Sequence, residues 1–265
     1  MAFAAVLLDL EGTLYVGDRV VPGAPEAIAT LRASGLPFRL LSNTTSRSRA
    51  ALVARLAALG IAVEPAELWT APLAAARIAH ARRHRLVAPF LPEGAHDDLA
   101  GLVLAGGVAP TPTGGRMPDA VLVGDLGERW THALLQEAFG YVHAGADLVA
   151  CSRDRYYRRG DGLALDAGPF VAALEYATGR EAIVAGKPAA SFFRAAVDAL
   201  GLAPADVVMV GDDLWSDVAG AQGAGLRGWA VATGKFRRED LERSGIVPDR
   251  ILGSIAELFP RAQSL

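Results

Sequence analysis

Two acidic residues, Asp9 and Glu11, follow the apolar run from Phe3 to Leu8 near the start of the chain. Such a run is typical of a buried strand, so both carboxyl groups are predicted to lie at its C-terminal tip. Open α/β sheets place their chemistry at these tips. Crowded carboxyl groups cost free energy unless positive charge lies beside them. A divalent metal ion and a lysine around a phosphoryl group would provide that charge.

Phosphate-binding groups follow the next strand-like run, which spans residues 36–41. Ser42 and Asn43 come directly after it and offer a hydroxyl, an amide and nearby backbone N–H groups to phosphate oxygens. Much later in the chain, Lys187 lies in the sequence Gly-Lys-Pro and provides a cation. These three residues supply the donors and the positive charge that a bound phosphate needs.

Three carboxylates, Asp212, Asp213 and Asp217, come after the strand-like run 206–210. Hard oxygen ligands of this kind suit Mg²⁺, which needs only one or two carboxylates from the protein. Asp9 can act as a nucleophile and form an aspartyl phosphate, so the clusters together make the set that phosphoryl transfer requires. Each cluster alone is more typical of a turn or a helix cap, but their joint order favours the catalytic interpretation.

The composition excludes several classes of protein. The chain has 265 residues, of which 52% are hydrophobic, enough to build a large core in one domain or two. The formal net charge of -3 offers no overall attraction to nucleic acid or to an anionic membrane, and no apolar run reaches the length of a membrane span. The single cysteine, Cys151, excludes an intramolecular disulfide. We therefore expect a cytoplasmic protein with a small-molecule partner.

Strand-like runs alternate with amphipathic helical stretches along the chain, a pattern that predicts βα units and a parallel sheet. Pro25 is predicted to open the first helix. The pattern changes between about residues 73 and 180, where an Arg/His-rich helix at 77–85, a Gly- and Pro-rich loop at 106–115 and strands at 120–123 and 147–150 are predicted. The pattern of the first 72 residues returns at Ile183. The fold class is therefore α/β, with a Rossmann-like core domain at 1–72 and 181–265 and an inserted α/β domain at 73–180.

The four clusters, in this order, resemble the four motifs of the haloacid dehalogenase-like phosphatase superfamily. The insert lies where the superfamily carries its class II cap domains. Further segments resemble the NagD-like (class IIA) group, nearest to the branch that contains phospholysine phosphohistidine inorganic pyrophosphate phosphatase. These segments are Val21-Pro22-Gly23-Ala24, Asn43-Thr44-Thr45, Arg155-Tyr156-Tyr157, residues 161–165, residues 173–177, Gly220-Ala221-Gln222 and Thr233-Gly234-Lys235.

The resemblance implies a role for each matching residue. Asp9 would be the nucleophile and a Mg²⁺ ligand, together with the backbone carbonyl of Glu11 and the carboxylate of Asp212. Ser42 and Asn43 would bind the transferring phosphoryl group, and Lys187 would neutralise the charge that it shares with Asp9. The supporting residues would be Thr13, which shapes the loop after the first strand, and Asp213 and Asp217, which orient metal-bound water.

Glu11 is the departure from the superfamily pattern, which usually has Asp at this position as the general acid and base. The additional methylene moves the carboxyl proton by about 1.3 Å, and an error of that size can cost on the order of a hundredfold in rate. The nearest branch often has Ser there and manages without a carboxyl group. We therefore expect a preference for leaving groups that need little protonation, such as pyrophosphate, aryl phosphate or phosphoramidate.

Two other clusters have competing interpretations. The basic and aromatic run 153–159 could bind nucleic acid, but the acidic overall balance favours a phosphate-facing substrate loop with Arg155 and Tyr156 as specificity residues. His80 and His84 have the spacing of a zinc pair, but no third ligand is obvious nearby, which favours a solvated basic face.

Two classes of function stay open at this point. The favoured one is a Mg²⁺-dependent phosphatase for a small phosphorylated molecule, with a homodimer formed through the cap. The alternative is a catalytically weak protein that binds or senses a phosphorylated metabolite, in which Glu11 has reduced turnover while the metal and phosphate sites persist.

Overall fold

The computed structural model describes residues 3–105, 116–159 and 162–259. The loop predicted at 106–115 and Asp161 lie outside these residues, as do the side chains of Arg158 and Arg159. The chain forms two compact units. Unit 1 comprises Met1–Ser42, Ala50–Trp69 and Lys187–Leu265, and unit 2 comprises Asn43–Arg49 and Thr70–Gly186. None of the described helices has the length and apolar character needed to cross a membrane.

The regular elements alternate along the chain as the sequence predicts. The strands are β1 (Ala5–Asp9), β2 (Tyr15–Val16), β3 (Arg19–Val20), β4 (Phe38–Ser42), β5 (Leu68–Thr70), β6 (Leu86–Phe90), β7 (Val103–Leu104), β8 (Ala120–Val123), β9 (Asp147–Ala150), β10 (Tyr156–Arg159), β11 (Gly162–Leu165), β12 (Ile183–Val184), β13 (Val207–Gly211), β14 (Arg227–Val231) and β15 (Arg250–Leu252). The α-helices are α1 (Ala24–Ala33), α2 (Arg49–Ala58), α3 (Ala71–Ala81), α4 (His132–His143), α5 (Ala167–Thr178), α6 (Ala190–Asp198), α7 (Gly220–Gly223) and α8 (Arg238–Ser244).

The main sheet of unit 1 has the strand order β15-β14-β13-β1-β4-β5. Strand β1 is buried along its whole length and pairs in parallel with β13 on one side and β4 on the other. In this register Leu8 lies opposite Val210, and Asp9 lies opposite Leu41. The carboxyl ends of the three strands therefore meet at one edge, which places Asp9, Ser42 and Asp212 at neighbouring strand ends.

Helix α1 shows how the flanking helices hold this sheet. Its buried residues recur at helical spacing, and they join the apolar core that also contains the side chains of β1, β4 and β13: Ala24, Ala27, Ile28 and Leu31. Pro25 lies in its first turn, where a proline costs no helical hydrogen bond. The prediction that Pro25 opens this helix is confirmed.

Unit 2 has its own parallel sheet, with the order β12-β9-β8-β6-β7, and its own apolar core. Strands β8 and β9 have the predicted bounds, whereas β6 was not predicted because Pro89 within it argues against a central strand. Helix α3 begins at Ala71, before the predicted 77–85, because the Thr70 hydroxyl accepts a hydrogen bond from the Leu73 N–H at 3.3 Å.

Candidate active site

Lys187 lies between two carboxylates at the carboxyl edge of the unit 1 sheet. Its ammonium Nζ donates to Asp9 Oδ1 at 2.5 Å and to Asp217 Oδ1 at 2.7 Å. All three side chains are buried. Burial alone would lower the pKa of Lys187, but the attraction of Asp217 and Asp9 raises it overall, so this lysine is a permanent cation.

Asp212 completes a group of three buried carboxylates with Asp9 and Asp217, whose oxygens all lie within 4.8 Å of one another. Burial, together with repulsion from Asp9, raises the pKa of Asp212 to about 7. Burial also raises the pKa of Asp217 well above its usual range, although Lys187 opposes the shift. The cluster therefore favours a bound proton over three free charges, even with Lys187 beside it.

The raised pKa values indicate that the site fits a divalent cation. A metal ion beside Asp9 and Asp212 would replace the proton that the cluster otherwise retains, and carboxylate oxygens are the ligands that Mg²⁺ prefers. Thr13 adds to this fit, since it is fully buried and its hydroxyl has no hydrogen-bond partner within the described residues. The donor set of this edge is thus compatible with Mg²⁺.

The backbone around Asp212 holds its carboxylate in place. The Lys235 N–H donates to Asp212 Oδ2 at 2.5 Å. Gly12 and Gly234 both have a positive φ, of 93° and 55°, and a Cβ added at either would overlap the Asp212 carboxylate. The Thr233 hydroxyl donates to the Gly12 carbonyl at 2.5 Å and ties the two loops together.

This supporting loop, Thr233-Gly234-Lys235, was not among the predicted site residues. It acts through a backbone N–H and through the absence of side chains, which residue types do not reveal. The available signal was its position directly after β14, a neighbour of β13 in the sheet.

Asp213 has a different environment from Asp212. Its Oδ1 accepts hydrogen bonds from the backbone N–H groups of Trp215 and Ser216, both at 2.9 Å, and so begins the π-helical segment Leu214–Ala219. The Asp213 N–H donates to Asp217 Oδ2 at 3.1 Å. Asp213 thereby orients Asp217, which in turn binds Lys187.

Glu11 faces the β2–β3 hairpin. Its Oε1 accepts a hydrogen bond from the Gly17 N–H at 2.8 Å, and the Arg55 guanidinium lies over the Tyr15 ring at 5.0 Å from its centroid. Partial desolvation by the surrounding protein raises the pKa of Glu11 although the side chain is still exposed to solvent, and the Gly17 N–H and Arg55 oppose the shift. A raised pKa suits a proton donor, but the hydrogen bond from Gly17 holds this carboxylate at the hairpin.

The predicted phosphate-binding residues follow β4. Ser42 is the last residue of that strand and is buried, one residue beyond the partner of Asp9 in the register. Asn43 begins the unit 2 segment Asn43–Arg49, and its Nδ2 donates to Asp154 Oδ2 at 3.2 Å. This pairing joins residues 111 positions apart, and no pattern of residue types predicts it.

The predicted specificity residues lie in unit 2 beside Asp154. Arg155 is exposed, and Tyr156, the first residue of β10, is 54% exposed. Arg153 instead donates to Glu175 at 2.7 Å, which neutralises it. His84, considered above as half of a zinc pair, contacts Asp147 at 3.1 Å, and the described residues contain no group of three metal-binding side chains beyond Asp9, Asp212 and Asp217.

Two family profiles match the chain. Residues 6–104 match a profile described as haloacid dehalogenase-like hydrolase, and residues 184–258 match one described as HAD-hydrolase-like. The first covers Asp9, Ser42 and Asn43, and the second covers Lys187 and the aspartates after β13.

Relatives match over nearly the whole chain. The haloacid dehalogenase-like hydrolase domain-containing protein 2 of Rattus norvegicus is 42% identical over 97% of this chain and 93% of its own length. The phospholysine phosphohistidine inorganic pyrophosphate phosphatase of Danio rerio is 38% identical over 89% of this chain and 85% of its own length. The resemblance to this branch is therefore confirmed.

Solved structures share the fold. A p-nitrophenyl phosphatase from Archaeoglobus fulgidus has a TM-score of 0.88 at 29% identity and covers 97% of this chain and 98% of its own. A glycerol phosphate phosphatase from Mycobacterium tuberculosis, in complex with magnesium, has a TM-score of 0.85 at 28% identity and covers 98% of this chain and 77% of its own. With the site geometry and the two profiles, these matches show that the chain is a hydrolase of the haloacid dehalogenase-like family.

Proposed function

We propose that this hydrolase is a Mg²⁺-dependent phosphatase that acts on a small phosphorylated molecule through an aspartyl phosphate on Asp9. The observation that carries the proposal is the placement of Lys187 between Asp9 and Asp217, with Asp212 in the same buried group. A structural ion pair needs one carboxylate, whereas this cluster holds three and carries excess negative charge unless it binds a proton or a further cation. Such an arrangement costs stability and is typical of a functional site.

The chemistry uses the residues as follows. A carboxylate oxygen of Asp9 attacks phosphorus, and the bond from phosphorus to the leaving oxygen or nitrogen breaks. The leaving group departs with the bonding electrons and takes a proton where its basicity requires one. Water then attacks the phosphorus of the aspartyl phosphate, so that inorganic phosphate leaves and the Asp9 carboxylate is restored.

Lys187 stabilises the negative charge that Asp9 and the phosphoryl oxygens share, while Ser42 and Asn43 donate hydrogen bonds to those oxygens. Asp9, the Glu11 carbonyl and Asp212 would hold the Mg²⁺. When bound, the ion supplies positive charge that offsets the repulsion between the carboxylate and the phosphate. Asp213 and Asp217 position the groups around it.

Glu11 determines which leaving groups are accepted. Its additional methylene and its bond to the Gly17 N–H both displace the proton donor from the position that an aspartate would occupy. Pyrophosphate and aryl phosphates release a weakly basic phosphate or aryloxide, and a phosphoramidate whose nitrogen already carries a proton releases a neutral amine, so none of them needs much help from an acid on the enzyme. Alkyl phosphates release a strongly basic alkoxide and do need one. We therefore propose that the first group is preferred.

Unit 2 is proposed to be the cap domain, in which Arg155 and Tyr156 contact the leaving group. Both are exposed, and a cation beside an aromatic ring suits an anionic or aryl leaving group. Two copies of the chain are proposed to pair through their caps, and nucleic acid and membranes are not expected partners. Cys151 is buried, and a chain with this single cysteine suits the reducing cytoplasm that we propose.

Hydrolysis of 4-nitrophenyl phosphate by the purified protein, with and without Mg²⁺, tests the proposed function. We expect turnover that needs Mg²⁺ and falls by at least about three orders of magnitude in Asp9→Asn, which keeps the shape of the side chain but not its nucleophilicity. Asp198→Asn, at an exposed aspartate that ends α6, is the matched control and should match the wild type. Equal activity of the wild type and Asp9→Asn would refute the assignment.

The second candidate function is a weak phosphometabolite binder or sensor. The observation that favours it is the hydrogen bond from the Gly17 N–H to the Glu11 carboxylate, because this contact displaces the proton donor that turnover would use. A protein that binds Mg²⁺ and phosphate but turns over none of a panel of phosphate esters and phosphoramidates would be this binder. The same assay therefore separates the two candidates.

A further inference from the structure

Asn43 has an acidic partner within unit 2. Its Nδ2 donates to Asp154 Oδ2 at 3.2 Å. A carboxylate only accepts hydrogen bonds, so this contact fixes which end of the amide faces Asp154. The amide oxygen then faces the chain at Gly186, where an added Cβ would lie 2.5 Å from Asn43 Oδ1. The Cys151 carbonyl oxygen would lie closer still, and the two close approaches together require a glycine directly before Lys187.

Asp154 is itself held firmly by its own loop. Its N–H donates to the Ser152 hydroxyl at 3.0 Å, and its carbonyl accepts from the Gly168 N–H, also at 3.0 Å, in the first turn of α5. The next residue, Arg155, accepts from the Asp166 N–H at 3.2 Å through its carbonyl. The backbone of Asp154 is thus held on both sides, so its carboxylate projects toward Asn43 from a defined position.

We propose that Asp154 is a positioning residue for phosphate binding: it holds the Asn43 amide in one orientation and couples it to the loop that carries Arg155. The proposal rests on the proposed function, in which Asn43 binds the phosphoryl group. Asp154 acts through Asn43, because its own negative charge would repel a phosphate. The loop that selects the leaving group and the residue that holds the phosphate are therefore connected by one hydrogen bond.

A double-mutant cycle on phosphate binding tests this coupling. The dissociation constant of inorganic phosphate in saturating Mg²⁺ is measured by calorimetry for the wild type, Asn43→Ala, Asp154→Ala and the double variant. Inorganic phosphate has no leaving group, so contacts between the loop and a leaving group do not enter. We expect about tenfold weaker binding in each single variant and no further loss in the double variant.

Two more variants separate positioning from general loss of structure. Asp154→Asn keeps the shape and an acceptor oxygen and should retain most of the affinity for phosphate. Asp166→Ala removes the side-chain acceptor for the Ala167 N–H at the start of α5, on the same loop, but not the partner of Asn43. It should lower the melting temperature, leave the affinity for phosphate unchanged and show no coupling to Asn43→Ala. Circular dichroism checks that every variant is folded.

The outcomes distinguish this proposal from the proposed function. Effects of Asp154→Ala and Asn43→Ala that simply multiply, or an Asp154→Asn variant as weak as Asp154→Ala, overturn the positioning role. Coupled phosphate binding without turnover supports the positioning role and refutes the phosphatase. Turnover with uncoupled binding does the reverse, and a wild type that turns over substrate but binds no phosphate overturns the positioning role alone.

Discussion

Asp9 and Glu11 lie two residues apart, yet their surroundings are opposite. Asp9 is buried at the end of β1 and binds a buried lysine whose charge is permanent. Glu11 is exposed and accepts one hydrogen bond from the turn of a short hairpin. Three strands and two loops determine where the Asp9 carboxylate lies. The turn of one hairpin holds the Glu11 carboxylate.

The two side chains differ in how strongly the surrounding structure constrains them. At the sheet edge, a change in any one charge leaves the others buried and unbalanced, so the cluster acts as a unit. At the hairpin, a side chain can change its length or its partner at little cost in stability. We therefore expect the nucleophile to define the reaction and the hairpin to tune its range.

Lys187→Met gives the largest expected effect on stability, because it leaves Asp9 and Asp217 buried without their cation. We expect the free energy of unfolding, measured by denaturant titration, to fall by about 3–5 kcal/mol, and phosphatase activity to be lost. Lys235→Met is the matched control, since that ammonium is 54% exposed and lies 3.6 Å from Asp213. Its cost should stay below about 1 kcal/mol. Similar losses in the two variants would contradict the buried cluster.

Gly234→Ala tests the loop that supports Asp212. Both it and its control, Gly245→Ala, place a side chain at positive φ, 55° and 67°, which alone costs about 1 kcal/mol of stability. Gly234→Ala should lose more than this, because its added Cβ would also overlap Asp212 Oδ2 and lie 2.5 Å from the Gly12 Cα. An added Cβ meets Asp212 only at Gly234, whereas at Gly245 nothing lies within 4 Å. We expect the rise in melting temperature on adding Mg²⁺ to vanish in Gly234→Ala alone. The measurement belongs at pH 8, above the pKa of about 7 of Asp212, where protons do not compete with the metal.

Glu11→Asp has the smallest expected effect and tests the contact between this side chain and the hairpin. The shorter side chain is expected to leave the Gly17 N–H and to approach the leaving group, which should raise turnover of alkyl phosphates by about tenfold. Glu11→Gln, which keeps the length but cannot donate the proton, should not gain. An equal gain on aryl and alkyl phosphates would show that Glu11 does not control leaving-group choice.

Sequence reasoning worked where the chain meets the sheet edge. The apolar run before Asp9 predicts a buried strand, and the parallel arrangement brings its tip beside those of β4 and β13, so the residues that meet there could be predicted. Their catalytic roles stay a prediction. Strands β8 and β9 were predicted at their observed bounds because their apolar runs have sharp polar ends.

Other features depend on contacts that no residue type reveals. The alanine-rich start of α3 shows little alternation of apolar and polar residues, and Pro89 within β6 argues against a central strand. The support of Asp212 by the Lys235 N–H is a backbone interaction, and the pairing of Asn43 with Asp154 follows from the fold of unit 2. These features require the three-dimensional structure.

The proposed mechanism depends on phosphorylation of Asp9 during turnover. Acid quenching during hydrolysis of 4-nitrophenyl phosphate, followed by borohydride reduction, converts an aspartyl phosphate to homoserine, which peptide mass spectrometry can locate. We predict homoserine at position 9 in the wild type when substrate is present, and none when substrate is omitted. Turnover without modification at position 9, or with modification at another aspartate, would contradict the proposed role of Asp9 as the nucleophile.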